Sequence, residues 1–108
     1  MSYSFPAEKF SVARDALMQA HPDGQHVTLE TALIECRVGL HRMNRSKLDS
    51  ITRSQIFKLE GFMDSTGFSD ADGDSAWTVR LKGLSDAEKS EIFHLVDDLA
   101  NFFASQEA

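Results

Sequence analysis

The side chains that could do chemistry are concentrated in one basic stretch of an otherwise acidic chain. The 108 residues carry a formal net charge of −6, whereas residues 37–58 contain six cations against the single acid Asp49, a local balance of +5. Clustered lysine and arginine bind the phosphates of nucleotides and nucleic acids, although cations near a helix C-terminus are also favoured by the helix dipole. The candidate phosphate or nucleic-acid contacts are Arg37, Arg42, Arg45, Lys47, Arg53 and Lys58.

A histidine and two aspartates near the C-terminus have the spacing of an acid–base pair. His94, Asp97 and Asp98 lie three and four residues apart, which makes them neighbours on a helix. They fall on its polar face, and no nucleophile elbow, P-loop or dinucleotide fingerprint accompanies them. Because such groups need a cleft to matter, we expect an exposed charged face here and no catalytic residue.

An alternation of aspartates at Asp70, Asp72 and Asp74 is similar to a calcium-binding loop in residue type. Its spacing differs, because glycine follows the second aspartate and the twelfth position, where a bidentate glutamate is needed, is Leu81. We therefore expect a solvated turn without a metal ion.

A second set of possible metal ligands, His21, Asp23 and His26, lies around a turn but supplies only three groups. Cys36 is the only cysteine, so an intramolecular disulfide is impossible and a Cys-based zinc site would lack ligands. Its place on an apolar stripe predicts a small core residue. We expect no metal and no cofactor.

The composition is typical of one globular domain spanning residues 1–108, with 42% hydrophobic and 26% charged residues. The first residues lack the cationic and apolar regions of a secretory signal, and no stretch approaches the roughly 18 apolar residues of a membrane span. These features, with the single cysteine, predict a cytoplasmic protein that makes no membrane contact.

The N-terminal third predicts two helices. The first has Pro6 in its first turn and ends by His21, before Pro22, with Phe10, Ala13 and Leu17 on one face. After a turn at residues 22–24, the second is capped by Thr28, and its buried stripe comprises Leu29, Ala32, Leu33, Cys36, Leu40 and Met43.

Two apolar residues of the second helix, Ile34 and Val38, lie off its buried stripe. They predict a second apolar contact, either inside the fold or with a partner. A third helix is expected to start at Asn44 or Ser46 and to end near Met63. The residues that it should carry toward the core are Leu48, Ile51, Leu59 and Phe62.

After the third helix the spacing of the apolar residues changes from that of a helix to that of a strand. Trp77, Val79 and Leu81 alternate with polar residues, as in a half-buried strand. A turn at Asp72-Gly73 would pair this strand with residues 66–68 and bury Trp77 on the inner face. Ser85 and Glu88 form a capping box that opens a last helix running to about Ser105. We therefore predict an α+β fold, mainly helical, with three helices, a β-hairpin and a C-terminal helix around one small core.

The last helix has an apolar arc of about half its circumference, wider than one packing surface needs. Leu99 and Phe103 near the middle are expected to face the core, and Phe93 and Phe102 mark the edges. Because paired identical surfaces commonly close an oligomer, the arc predicts a homodimer with Phe93 or Phe102 at the seam.

The order of three helices, a hairpin and a helix resembles that of winged-helix regulators, which would place the third helix in the DNA major groove. The acidic wing argues against it, because phosphate contacts call for cations. Our main functional prediction is a non-catalytic accessory or regulatory protein that contacts itself and an unidentified protein. The alternatives are a nucleic-acid-binding regulator of winged-helix-like layout that uses residues 37–58 and, third, a small enzyme.

Overall fold

The computed structural model describes residues 3–19, 24–41, 43–64 and 75–106. In these ranges the chain forms five α-helices and no strand, so the described residues are all-helical and the predicted α+β class is wrong. In chain order the helices are α1 (Ser4–Leu17), α2 (Gln25–Leu40), α3 (Ser50–Met63), α4 (Ala76–Lys82) and α5 (Asp86–Gln106).

The segment predicted as a strand is the short helix α4. Ser75 caps it by accepting a hydrogen bond from the Thr78 backbone N–H at 3.2 Å, as an N-cap serine does. Trp77 and Leu81 are four residues apart and so share one helical face; Leu81 is fully buried and Trp77 packs partly buried against the core. The predicted strand is therefore wrong, and the proposed turn and partner strand, residues 66–74, lie outside the described residues.

The core lies between α1, α2 and α5, with α3 packed on α5 and α4 packed on α2. As predicted, α1 buries Phe10, Ala13 and Leu17, and α5 buries Leu99 and Phe103. The Phe103 ring centroid lies 5.3 Å from that of Phe10, a separation typical of a favourable aromatic contact. This aromatic cluster joins the first helix to the last.

The second helix starts earlier than predicted. Gly24, with φ at 111°, precedes its first turn, so the predicted Thr28 cap is wrong, and the Thr28 hydroxyl instead donates to the Gln25 carbonyl at 2.8 Å. A positive φ of this kind favours glycine. The predicted stripe is buried from Leu29 to Leu40, while Met43 lies partly buried beyond the helix end.

The third helix ends at Met63 as predicted, but it begins at Ser50. The Asn44 side-chain oxygen accepts hydrogen bonds from the Ser46 backbone N–H at 2.9 Å and from its hydroxyl at 2.7 Å. Such a bond gives the backbone an alternative to the helix, which explains the late start. Leu59 is buried as expected, whereas Ile51 is 69% exposed, so its predicted core position is wrong.

The last helix opens with the predicted capping box. The Ser85 backbone N–H donates to the Glu88 carboxylate at 2.9 Å, and the Glu88 N–H donates to the Ser85 hydroxyl at 3.1 Å. Phe93 and Phe102, at the edges of its apolar arc, are both partly buried against the core. None of the helices in the described ranges combines the length and the apolar character needed to cross a bilayer.

Candidate functional site

Two of the six predicted phosphate contacts take part in intramolecular contacts. Arg45 donates to both carboxylate oxygens of Glu60, at 2.7 and 2.8 Å, and these hydrogen bonds raise the pKa of Arg45. The Arg37 guanidinium carbon lies 4.8 Å from the centroid of the Trp77 ring, in the range of a cation–π contact. Arg42 lies outside the described residues. Arg37 and Arg45 thus each have a partner within the chain, and the phosphate or nucleic-acid contact of the basic stretch stays a prediction.

The other three cations, Lys47, Arg53 and Lys58, are exposed and make no ion pair with any described residue. Arg53 and Lys58 lie on α3, and Lys47 lies three residues before its first residue. Two large apolar side chains of α3 are exposed as well, Ile51 at 69% and Phe57 at 77%, and they lie about 120° apart around the helix axis. We call this surface the α3 outer face; it comprises Lys47, Ile51, Arg53, Ser54, Phe57, Lys58 and Gly61.

The α3 outer face follows from the way the helix packs. Thr52, Ile56 and Leu59 are buried, and they lie within about 60° of one another around the axis at 100° per residue. Ile51 and Phe57 are displaced from Ile56 by about 140° and 100°, so they face away from the core. Ile51 was expected in the core, and the exposure of Phe57 was not predicted. Choosing Ile56 and Leu59 as the buried pair would have found both.

A cleft between α1 and α5 brings together His94 and Asp97, for which no cleft was expected. Its cavity volume is about 330 Å³, and it is lined by Arg14, Leu17, Met18, Phe93, His94 and Asp97. Arg14 lies 3.5 Å from the Asp97 carboxylate and donates to the Asn101 side chain at 2.9 Å. These residues form a polar rim on an apolar hollow, without a serine, threonine, cysteine or lysine that could serve as a nucleophile.

The third member of the predicted acid–base group lies apart from this cleft. Asp98 accepts a hydrogen bond from the Gln55 side chain of α3 at 3.3 Å. The two aspartates therefore contact different neighbours, Asp97 on the side of α1 and Asp98 on the side of α3. The cleft holds one histidine and one carboxylate, and the carboxylate is shared with Arg14.

Cys36 and the possible metal ligands supply no further site. The Cys36 side chain is fully buried, and its desolvation, together with the charge of Glu35, raises the pKa of the thiol far above its usual value. Cys36 is thus a core residue, as predicted. The described residues contain no cluster of three potential ligands, and Asp70, Asp72, Asp74, His21 and Asp23 lie outside them.

The apolar residues off the stripe of α2 are exposed, as are two residues of the adjacent α1. Ile34 and Val38 are 39% and 41% exposed, and Phe5 and Val12 are 48% and 43% exposed. Lys9 of α1 lies 3.6 Å from Glu35 of α2 and also lies over the Phe5 ring at 5.6 Å. The second apolar contact that the sequence predicted is therefore not made inside the described chain.

The α5 arc is covered on both sides by the chain itself. On the side of Phe93 the helix faces α1, through Arg14 and the lining of the cleft, and on the opposite side Asp98 bonds α3. The apolar arc of α5 is too wide for one helix to cover, and two helices of the same molecule, α1 and α3, pack against it. The seam predicted at Phe93 and Phe102 stays a prediction, but the width of the arc no longer requires it.

Comparisons with known proteins identify no relative of this chain: no protein-family model, no curated protein and no solved structure matches it.

Proposed function

We propose that this protein is a non-catalytic accessory or regulatory protein of the cytoplasm that binds an acidic amphipathic helix of a partner protein through the α3 outer face. The observation that carries the proposal is the exposure of Ile51 at 69% and of Phe57 at 77% on a helix that has a well-formed buried side. The single, buried cysteine supports the reducing compartment.

The chemistry of the partner follows from the cations around these side chains. Lys47, Arg53 and Lys58 have no ion pair within the described ranges, and the nearby Glu60 is engaged by Arg45. A partner that brings carboxylates to these cations and apolar side chains to Ile51 and Phe57 would match the face in both respects. An amphipathic helix with acidic flanks has this combination.

Nucleic-acid binding is the rival use of the same three cations. Its support is weaker because Arg37 and Arg45 make intramolecular contacts and because residues 77–81, which should form one strand of the wing, lie in α4. A phosphate-binding surface also gains nothing from Phe57 standing between its cations, unless bases stack on the ring. The two functions predict different responses to nuclease.

The test compares proteins that copurify with the full-length chain from its native cell, after nuclease treatment. Phe57→Glu and Ile51→Glu change the α3 outer face, and Met18→Glu is the matched control because Met18, directly after α1, is 74% exposed. We expect a specific protein to be retained by the wild type and by Met18→Glu, and to be reduced at least about tenfold by Phe57→Glu. Salt should elute it, since screening weakens exposed charge pairs.

Equal retention by Phe57→Glu and Met18→Glu would rule out the α3 outer face as the binding surface. Retention that disappears with nuclease, together with salt-dependent binding of purified protein to DNA or RNA, would favour the nucleic-acid regulator instead.

A further inference from the structure

The outward side of α2 carries a row of residues with the spacing of a helix–helix seam. Val27, Thr31, Ile34 and Val38 are separated by four, three and four residues, the pattern of alternating a and d positions in a coiled coil. At 100° per residue they fall within about 60° around the axis. Thr31, Ile34 and Val38 are exposed and Val27 is half-buried. We call these four residues the α2 seam.

The α2 seam lies opposite the face that α2 turns to the core. Ala32, Cys36 and Leu29 are fully buried, and they are displaced from Ile34 by about 160°, 160° and 140° around the axis. On the α1 side, the exposed Phe5 and Val12 continue the apolar surface beyond the Lys9–Glu35 pair. The seam is thus the α2 part of an apolar surface that two helices form.

Opposite charges border the α2 seam on its other side. Glu30 and Arg37 are seven residues apart, so they stand on the same edge of the helix, about two turns from each other. Both are held toward α4, because Glu30 lies 3.5 Å from the Thr78 hydroxyl and Arg37 lies over Trp77. Neither has an ion-pair partner among the described side chains.

We infer that the α2 seam binds a second copy of this chain, with the two α2 helices antiparallel around a twofold axis. In that register Val27 lies opposite the partner subunit's Val38, and Thr31 lies opposite the partner subunit's Ile34. The edge charges then complement each other twice, since Glu30 meets the partner subunit's Arg37 and Arg37 meets the partner subunit's Glu30. A parallel pair would instead bring Glu30 toward the partner subunit's Glu35, which disfavours that orientation.

This dimer uses a surface other than the α3 outer face, so the two proposals stand or fall separately. It also differs from the seam that the sequence predicted at Phe93 and Phe102, which pack against the core of their own chain. The charged α3 outer face is a poor self-association surface because its cations would meet those of the second copy.

Sedimentation velocity on the full-length protein at micromolar concentrations tests the dimer. We expect the wild type to sediment as a dimer, and Ile34→Glu to weaken association at least about tenfold, because it places two carboxylates in an apolar seam. Phe57→Glu and Phe102→Asp are the controls that leave association unchanged. A monomeric wild type, or loss of the dimer with Phe102→Asp and not with Ile34→Glu, overturns the inference.

A charge reversal tests the antiparallel register. Glu30→Arg and Arg37→Glu should each weaken association about tenfold, because each replaces two attractive pairs with two repulsive ones. The double variant Glu30→Arg/Arg37→Glu restores both pairs and should recover most of the wild-type affinity, while circular dichroism confirms that each variant is folded. A double variant no better than the single ones contradicts the register.

Discussion

Helices α5 and α3 are both amphipathic, but the chain covers them to very different extents. The fifth helix has the wider apolar arc, and α1 and α3 lie against it on two sides, so that even its edge residues Phe93 and Phe102 are partly buried. The third helix packs chiefly on α5, and Phe57 and Ile51 stay exposed. The width of an apolar arc therefore does not reveal a binding surface. Whether the apolar residues stay exposed depends on how many neighbouring helices cover them.

The strongest test of this contrast replaces the same residue type on each helix. Phe103 on α5 is fully buried and contacts the rings of Phe10 and Tyr3, so Phe103→Ala should lower the free energy of unfolding by about 3–5 kcal/mol. Phe57→Ala on α3 should change it by less than about 0.5 kcal/mol. Urea unfolding at a fixed protein concentration measures both, and equal losses would break the contrast.

Two helical glycines sharpen the comparison between a covered and an open helix face. A Cβ at Gly39 of α2 would lie 2.8 Å from the Cβ of Lys9 on α1, whereas one at Gly61 of α3 would meet nothing within 4 Å. Gly39→Ala should therefore destabilise the protein by about 1–3 kcal/mol despite its better helix propensity. Gly61→Ala should stabilise it by up to about 1 kcal/mol. Thermal unfolding shows whether each substitution lowers or raises the melting temperature. A stabilised Gly39→Ala would mean that α1 and α2 are not in close contact at this position.

The serines at the starts of α5 and α3 also differ in the hydrogen bonds that they make. Ser85 closes the capping box of α5, so Ser85→Ala should cost about 1 kcal/mol of unfolding free energy. Ser50, exposed in the first turn of α3, accepts no such bond in the described structure, and Ser50→Ala should change stability by less than about 0.5 kcal/mol. Equal effects in urea unfolding would show that the box does not hold the start of α5.

The capping box also makes a small contribution to the free energy of unfolding, and this contribution depends on pH. Hydrogen bonds from the Ser85 backbone and side chain lower the pKa of Glu88. Because the folded pKa lies below the unfolded value, the contribution is present above the unfolded pKa of about 4.3 and is lost as the pH falls through the folded pKa. Glutamine cannot be protonated in this range, so the stability of Glu88→Gln should not fall through this group as the pH is lowered. The difference in unfolding free energy between wild type and variant should therefore shrink as the pH falls. A constant difference from pH 6 to pH 3 would contradict the assignment.

Local patterns predicted the parts of the fold that depend on local interactions. The buried faces of α1 and α2 follow from helical spacing, and the start of α5 follows from Ser85 and Glu88, which bond each other across three residues. The strand prediction failed because the alternation from Trp77 to Leu81 covers only five residues. Over so short a segment, a helix can place the first and last residues on the same buried face.

The candidate site was predictable in residue type but not in arrangement. The cations were visible in the sequence, whereas the partners that occupy two of them are distant: Glu60 lies 15 residues after Arg45, and Trp77 lies 40 residues after Arg37. Such contacts exist only once the helices are packed, so spacing along the chain does not report them.

The most direct test of the central claim, that the partner protein binds through α3 and not through α5, is photo-crosslinking in the native cell. A benzophenone-bearing phenylalanine analogue would replace Phe57 in one variant and Phe102 in another, two positions of the same residue type with opposite environments. The account predicts a crosslink from position 57 to a different, acidic protein and none from position 102. A crosslink to another protein from position 102, with none from position 57, would contradict it.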